Sequence, residues 1–353
     1  MLMQRIQNRK NKHLFVMQSK RIEYIDAMRG FAIFLVVLGH VSGFILTRGW
    51  KADIILESYL THFHMPLFFL ISGFVLYKQD YDWSFKKSFS FLTKKISFLL
   101  VSPFLFLLAY LSITGTSLDV ALQGTYKEGY WFTFTLFQFY FAFMLLQWCT
   151  KLMRMKDIIN DTFLILSAFL IYAVIVHYNG WQDWYCIGVP HWTHFLFFIS
   201  GYLIRKHFTT FERILDSRYF LAVCVILYFG FRFIPELSVI SSLGYGLVLL
   251  LTAVLLVFAL FRKHQQVFSK QHAIGRAMQF VGQRTLDIYL IHYFFLVTNM
   301  QAALPNFAEL NSPFIELVLA VLITVLIISA SLLMSAVLRV SPLLAHYLFG
   351  QKL

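Results

Sequence analysis

The sequence predicts an all-α fold: a polytopic integral membrane protein of about ten transmembrane helices, with both termini in the cytoplasm. The first observation is composition. Of 353 residues, 59% are hydrophobic and 13% are charged, whereas about a quarter of an average soluble domain is charged. The second is a mean hydropathy of +0.69 with 40 Phe residues, more apolar side chain than a water-soluble core of this size buries. These values exclude a secreted enzyme, a nucleic-acid binder and a sizeable extramembrane domain.

Ten apolar runs, each bounded by charged or turn-forming residues, supply the predicted helices. About 20 helical residues cross the bilayer core, and a helix satisfies its backbone hydrogen bonds internally. The runs cover residues 30–47, 60–77, 91–113, 130–149, 162–178, 190–204, 219–235, 239–261, 279–300 and 314–338. The predicted organisation is therefore a basic cytoplasmic segment 1–29, a transmembrane domain 30–340 and a cytoplasmic tail 341–353.

The distribution of Lys and Arg supports this partition and orients it. The termini and every second loop hold 26 of the 30 basic residues, and the other loops hold four. Acidic residues show no such bias, with nine on the first side and eight on the second. Because loops rich in Lys and Arg stay in the cytoplasm, we expect a multi-pass protein of the plasma (inner) membrane.

The first predicted helix contains a functional-site candidate, because an ionisable group inside a membrane is costly. His40 follows Arg29 by eleven residues. That spacing returns a helix to within about 20° of its starting face and advances it by about 16 Å. Arg29 is thus expected at the cytoplasmic interface and His40 near the midplane, beside a Gly39-x-x-x-Gly43 motif that suits close helix packing. An arginine that only anchors the helix at the membrane interface, together with a histidine packed in the core, would give the same pattern.

The ninth predicted helix repeats this arrangement. Arg284 and Asp287 are three residues apart and are expected to pair at its inner end, and His292 lies about 12 Å further along the helix. Asp26 has the same spacing from Arg29 in the first helix. Two helices therefore each place an acid–base pair at the cytoplasmic face and a histidine at mid-depth. Two structural salt bridges and two histidines packed in the core would give the same pattern.

Two further histidines are expected toward the outer leaflet. His64 opens the second predicted helix, and His194 lies in the sixth. Their helices share a Phe- and Ile-rich phrase that ends in Ser-Gly, at residues 72–73 and 200–201. The three cysteines are far apart, and histidines two residues apart, as at 62 and 64, do not share a helix face. The sequence therefore predicts no metal site.

Four stretches of the sequence resemble the membrane-bound acyltransferase-3 family. They are Tyr24 to His40 with its Arg-x10-His spacing, Phe63 to Phe74, Phe198 to Lys206, and Gly282 to His292. The Pro-Leu-Phe-Phe phrase at residues 66–69 is most similar to the branch that acetylates sugar hydroxyls. With ten helices, the resemblance covers nearly the whole chain.

The resemblance implies transfer of an acyl group, most often acetyl, from a coenzyme A thioester to a hydroxyl of a glycan or polysaccharide at the lipid bilayer. His40 is the expected general base or transient acyl carrier. Arg29 is expected to bind the donor phosphates, and the three residues Asp26, Asp287 and His292 to support the chemistry. His64, Ser72 and His194 are the predicted substrate-binding residues.

The chain departs from the family pattern at residues expected to bind the acyl donor. Members often carry two arginines, spaced R-x-x-R, at the start of the third helix, where this chain has Lys94 and Lys95. The positive charge remains, but lysine lacks the planar guanidinium that binds phosphate through two hydrogen bonds. We expect acetyl-CoA as the acyl donor, with Lys94 and Lys95 as donor-binding candidates. No metal and no nucleic acid is expected, and the sequence leaves the oligomeric state open.

Two other function classes fit the same features. A glycan or lipid-linked sugar exporter would also need ten helices with buried polar groups, but it would not consume acyl-CoA. A proton-coupled transporter would use the histidines as proton relays. Such a transporter typically has acidic residues at mid-depth, and the predicted helices have none there.

The orientation can be tested by cysteine labelling. A cysteine introduced at Lys87 should be protected from a membrane-impermeant thiol reagent in intact cells, whereas one at Asp119 should react, because the two positions lie in loops on opposite sides. Labelling after membrane disruption is the control for both. Reaction at position 87 in intact cells would invert the predicted topology.

Overall fold

The computed structural model describes residues 22–46, 62–79, 81, 83–177, 188–233, 242–296 and 312–349. Within these ranges every regular element is helical. In chain order the helices are α1 (Glu23–His40), α2 (His64–Leu76), α3 (Phe85–Ile96), α4 (Ser102–Thr114), α5 (Leu118–Gln123), α6 (Trp131–Leu152), α7 (Asp157–His177), α8 (Phe195–Lys206), α9 (Phe208–Leu215), α10 (Phe220–Phe233), α11 (Ser242–Lys263), α12 (Ala273–Gln283), α13 (Thr285–Ile291), α14 (Pro313–Leu338) and α15 (Pro342–Phe349).

Six of the described helical segments are long and apolar enough to cross a membrane, or seven if α9 and α10, which meet at a 77° bend, form one span. The six are Glu23–Ile45, Phe85–Thr114, Trp131–Leu152, Asp157–His177, Gly244–Lys263 and Pro313–Leu338. The chain is thus a multi-pass membrane protein, and its described residues form an all-helical structure. Each of the ten predicted runs contains helix, but those around α2, α8 and α12–α13 are shorter or broken, so the count of ten stays a prediction.

Glycines allow α2 and α8 to cross with their backbones in contact. A Cβ atom added to Gly73 would overlap the carbonyl oxygen of Phe198, and one added to Gly201 would overlap that of Leu70. The two glycines close the Ser-Gly phrases that recur in the sequence. Small residues at a crossing let two helices approach closely enough for extensive van der Waals contact, and this crossing lies within the aromatic core of the protein.

A second glycine crossing joins α1 to α12. A Cβ atom at Gly30 would overlap the carbonyl oxygen of Met278, and one at Gly282 would overlap that of Asp26. The expectation that Gly43 mediates a close helix approach was wrong, because no described atom lies within 4 Å of the position its Cβ would take. The close contact is made one helix length away, at the end of α1 that carries Arg29.

An ion pair joins α13 to the end of α14. The Asp287 carboxylate accepts two hydrogen bonds from Arg339 Nη2, each 2.8 Å long, and one of 2.7 Å from the Ser335 hydroxyl. The predicted pair between Asp287 and Arg284 was therefore wrong. The Arg284 guanidinium lies over the Phe280 ring, 3.9 Å from its centroid. Spacing along one helix suggested a local ion-pair partner for Asp287, whereas helix packing places its partner on another helix.

The glycine crossings can be tested by adding a single methyl group. Gly201→Ala should lower the free energy of unfolding by about 2 kcal/mol or more, because its Cβ meets backbone atoms that cannot move aside. Gly246→Ala on α11 is the matched control. No described atom lies within 4 Å of its Cβ position, and alanine favours a helix by about 1 kcal/mol over glycine.

The measurement is thermal unfolding of the two purified variants in the same detergent. Equal stability of Gly201→Ala and wild type would contradict the backbone contact between α2 and α8.

Candidate active site

A cavity of about 320 Å³ opens between α1, α2, α3–α4, α6 and α13. Most of its wall is apolar, with hydroxyl groups and two cations at a few points. The residues that line it are Arg29, Ile33, Val36, Met65, Phe68, Ile71, Ser72, Val75, Lys95, Phe98, Leu99, Phe132, Thr133, Leu136, Tyr140, Thr285, Leu286 and Tyr289. Apolar walls with a few convergent polar groups are typical of small-molecule sites.

The two cations of the wall come from different helices. Arg29 on α1 donates a 3.2 Å hydrogen bond from Nη2 to the Thr285 hydroxyl, and its Nη1 atom lies 4.0 Å from Asp26 Oδ1. Lys95 on α3 extends its ammonium group over the rings of Phe91 and Tyr140, 5.3 and 5.5 Å from their centroids. No acidic side chain is among the lining residues. The electrostatics of the cavity therefore favour an anionic ligand.

The structure separates the two predicted donor-binding lysines. Lys95 lines the cavity and is partly buried, whereas Lys94 is exposed and does not contribute to the wall. Neighbouring residues on a helix point about 100° apart, so only one of them can face the cavity between α2 and α6. The sequence showed the charge at both positions but not which one turns inward.

One face of α1 forms the wall that leads from Arg29 to His40. Arg29, Ile33 and Val36 line the cavity at spacings of four and three residues, and His40 is the next residue of the same stripe. From Val36 to His40 is one helical turn, about 6 Å. The helix thus connects the cationic part of the cavity to the imidazole, as the spacing predicted.

His40 meets His292 and Tyr293 at the far end of this stripe. The imidazole of His40 stacks on that of His292, with centroids 5.3 Å apart. The Tyr293 hydroxyl is hydrogen-bonded to Nε2 of His40 over 2.9 Å. The two histidines that the sequence placed at similar depth on two helices are therefore in ring contact, and Tyr293 completes a three-residue cluster that we call the histidine cluster.

His292 has a defined tautomer. Its Nδ1 atom lies 2.9 Å from the carbonyl oxygen of Ile288, which can only accept, so Nδ1 carries the proton. Nε2 is then the unprotonated nitrogen, and it is buried without a hydrogen-bond partner among the described residues. The ring is fully buried, whereas His40 is partly accessible. Accessibility therefore favours His40 as the histidine that meets a ligand.

The backbone changes geometry on both sides of the histidine cluster. After His40 the α-helix becomes a π-helical turn, Val41–Leu46, and from His292 the chain forms a 3₁₀ turn, His292–Phe295. Single π-helical turns are frequent at functional sites. The π-helical turn brings Phe44 to 5.8 Å from His40, and 42% of the Phe44 surface is exposed.

The loop before α6 is held against α13 by tyrosine hydroxyls. Tyr130 donates a 3.0 Å hydrogen bond to the carbonyl oxygen of Leu290, and Tyr289 donates one of 2.7 Å to that of Gly129. The Tyr289 oxygen also accepts the backbone N–H of Phe132 at 3.1 Å. These bonds fix the loop next to the histidine cluster.

The other predicted site residues differ in their relation to the cavity. Ser72 lines it, although its hydroxyl donates to the carbonyl oxygen of Phe68. His64 and His194 are partly buried outside the lining set, and the His194 ring stacks on Phe69 with centroids 5.2 Å apart. Asp287 is likewise outside the lining set, and its carboxylate is held by Arg339.

Sequence reasoning identified Ser72 but missed most of the other hydroxyl-bearing residues of the site. Thr285, Tyr140 and Tyr289 line the cavity, and Tyr293 contacts His40. Tyr289 and Tyr293 are four residues apart and flank His292, a spacing that places two phenols near one another in the fold. In a chain with 18 Tyr residues, that signal was lost among interfacial and core tyrosines. In the described part of the chain, no three His, Cys, Asp or Glu residues group as metal ligands.

Comparisons with known proteins identify the family of the chain. A family model described as "Acyltransferase domain", that of the acyltransferase-3 family, matches residues 22–334. YfiQ of Bacillus subtilis (strain 168), named as a membrane-bound acyltransferase, is 24% identical over 346 residues, covering 90% of this chain and 91% of the relative. No solved structure matches the chain. The matched region contains the cavity and the histidine cluster, and the chain belongs to the membrane-bound acyltransferase-3 family.

Proposed function

We propose that this protein is an acetyl-CoA-dependent O-acetyltransferase of the plasma membrane, and that it acetylates a hydroxyl of a membrane-associated glycan. The observation that carries the proposal is the continuous stripe on α1, which runs from Arg29 in a cationic cavity to His40 in the histidine cluster. Phosphate recognition and an imidazole are the two chemical requirements of acyl transfer from coenzyme A.

The cavity suits the donor in its charge and in the apolar character of its wall. Arg29 and Lys95 provide cations for phosphate oxygens, without a competing acidic side chain among the lining residues. The apolar wall between α2 and α6 suits an extended pantetheine arm, which follows Ile33 and Val36 toward His40. With both termini in the cytoplasm, the cations face the compartment that contains coenzyme A. The bilayer helices then exclude bulk water from the thioester.

His40 supplies the chemistry in this proposal. The acceptor oxygen attacks the thioester carbonyl carbon, the carbon–sulfur bond breaks, and the acetyl ester and coenzyme A thiol are formed. His40 takes the proton of the acceptor hydroxyl and returns it to the sulfur of the leaving group. The same imidazole could instead carry the acetyl group between donor and acceptor, with the same net balance.

The remaining predicted residues have supporting roles. Asp26 lies 4.0 Å from Arg29 and orients its guanidinium. His292 packs on His40 through its ring face. Asp287 acts through the fold, because its carboxylate is bound by Arg339 and Ser335. The partly exposed ring of Phe44 beside His40 suits the apolar face of a sugar. His64, Ser72 and His194 are the further candidates for acceptor binding.

The role of the cavity can be tested with the two neighbouring lysines. Lys95→Ala should weaken donor binding about tenfold, since it removes one of two cations from the cavity. Lys94→Ala is the matched control and should leave donor affinity unchanged, because Lys94 is exposed outside the cavity. Calorimetric titration of each purified variant with acetyl-CoA is the measurement. Equal losses in the two variants would show that the lysines act only through net charge.

Substitutions of Arg29 and of His40 should have different effects on donor binding and on acetyl transfer. His40→Ala should abolish transfer of radiolabelled acetyl from acetyl-CoA yet bind donor normally, because it removes chemistry and not phosphate recognition. Arg29→Ala should raise the dissociation constant of the donor about 10- to 100-fold, and Arg29→Lys should restore only part of the affinity. Binding and transfer are measured on the same preparations. Full transfer by His40→Ala would disprove the mechanism.

The acceptor class is tested in cells. Deletion of the gene should lower the O-acetyl content of surface glycan, and wild type should restore it, whereas His40→Ala should not. Unchanged acetylation on deletion would contradict a glycan acceptor.

A further inference from the structure

The hydrogen bond between Tyr293 and His40 determines which ring nitrogen of His40 is available. It is 2.9 Å long and occupies Nε2. If the phenol donated to Nε2, Nδ1 would carry the ring proton, and the neutral imidazole would have no free lone pair. If Nε2–H donates to the phenol oxygen, Nδ1 retains its lone pair. Only the second arrangement leaves His40 able to accept a proton from a hydroxyl.

Tyr293 is held in place independently of His40. Its ring is 95% buried, with 5% of its surface exposed. Gly129, at a φ of +94°, leaves the space that the phenol occupies, because an added Cβ would overlap the ring and the hydroxyl. The rings of Tyr130 and Tyr110 lie 5.8 and 6.0 Å from that of Tyr293. A rigid partner of this kind can fix the orientation of an imidazole.

The other contacts of His40 do not fix its tautomer. His292 and Phe44 touch it through ring faces and edges, at centroid distances of 5.3 and 5.8 Å. Among the described residues, the phenol of Tyr293 is the hydrogen-bond partner shown for the His40 ring. A phenol can donate or accept, so its bond occupies Nε2 in either tautomer and leaves Nδ1 as the ring nitrogen that remains for a ligand.

We propose that Tyr293 is a positioning residue for His40, which keeps Nε2 protonated so that Nδ1 is the nitrogen that reacts. This inference rests on the proposed function. Nδ1 accepts the proton from the acceptor hydroxyl as its oxygen attacks the thioester, and the ring becomes an imidazolium. The Tyr293 oxygen then accepts a charge-assisted hydrogen bond from Nε2–H, which is stronger than the neutral one. The proton passes from Nδ1 to the leaving sulfur, and the ring returns to its starting state.

The test is removal of the Tyr293 hydroxyl alone. Tyr293→Phe should lower kcat roughly 10- to 100-fold, the effect of one hydrogen bond to a charged group. KM and the dissociation constant for acetyl-CoA should not change, because Tyr293 does not line the donor cavity. Replacement of Tyr293 by 3-fluorotyrosine, which keeps a hydroxyl, should restore kcat to within a few-fold of wild type.

Tyr130→Phe is the matched control. It removes a hydroxyl from the same aromatic group, one that donates to the carbonyl oxygen of Leu290 and not to His40. It should lower kcat a few-fold at most, because the Tyr289 hydroxyl still holds the loop through the carbonyl oxygen of Gly129. A loss in Tyr130→Phe as large as that in Tyr293→Phe would show that both phenols act by holding the loop, and would overturn the positioning role. Wild-type kcat in Tyr293→Phe would overturn it as well.

A second variant disturbs Tyr293 without removing any hydroxyl. Gly129→Ala should lower kcat in the same way, because its Cβ displaces the phenol. Gly124→Ala in the same loop is its control, since a Cβ there has ordinary contacts with the carbonyl oxygens of Val120 and Ala121, at 3.5 Å. Full turnover by Gly129→Ala would show that Tyr293 can move without loss, and would contradict the proposal.

Different experimental outcomes would contradict the proposed function and the role of Tyr293. An active His40→Ala enzyme would overturn the acyl-transfer mechanism itself. Wild-type turnover in Tyr293→Phe beside an inactive His40→Ala would leave that mechanism standing and remove only the role of Tyr293. Thermal unfolding of each variant in detergent, with midpoints equal to wild type, establishes that the kinetic differences come from folded protein.

Discussion

The backbone contact between α1 and α12 is the constraint on which the site depends. Gly30 and Gly282 each face a backbone carbonyl of the other helix, so the two helices have one register at this crossing. α13 follows α12 directly and runs beside α1. The register at the glycines therefore decides which residues meet further along the two helices, and there His40 meets His292 and Tyr293. A side chain at either glycine would separate the helices and open the histidine cluster.

Two further interactions support this arrangement from the sides. The ion pair of Asp287 and Arg339 fastens α13 to α14, so the turn that bears His292 and Tyr293 is held from the side away from the cavity. The hydroxyls of Tyr130 and Tyr289 fasten the loop before α6 to α13. These polar groups thus position the short segment that bears His292 and Tyr293. The cavity beside it has Arg29 and Lys95 in its wall, the two cations that the proposed acyl donor would contact.

The family resemblance and the packing concern the same residues. Gly30, Gly73, Gly201 and Gly282 all lie in the four stretches that carry the resemblance, and each lies where two helix backbones touch. Arg29 and His40, in the first stretch, have the chemical roles in the proposed reaction. The shorter helices α2 and α8 are those joined by a glycine crossing in the core, and the longer apolar helices α7 and α14 present much more of their surface outward. The glycine-rich stretches therefore specify architecture, and a few polar residues within them specify chemistry.

Periodicity and composition alone determined the helical membrane fold and the stripe that joins Arg29 to His40, because both follow from the repeat of a single helix. Contacts between helices were decided only by the tertiary structure. Asp287 has Arg339 as its partner and not Arg284, since the two helices pack with those groups in reach. Lys95 and not Lys94 faces the cavity, because the rotation of α3 is set by its neighbours. Tyr293 became visible as a partner of His40 for the same reason: its role depends on a distance across 253 residues of sequence, and no local pattern encodes that distance.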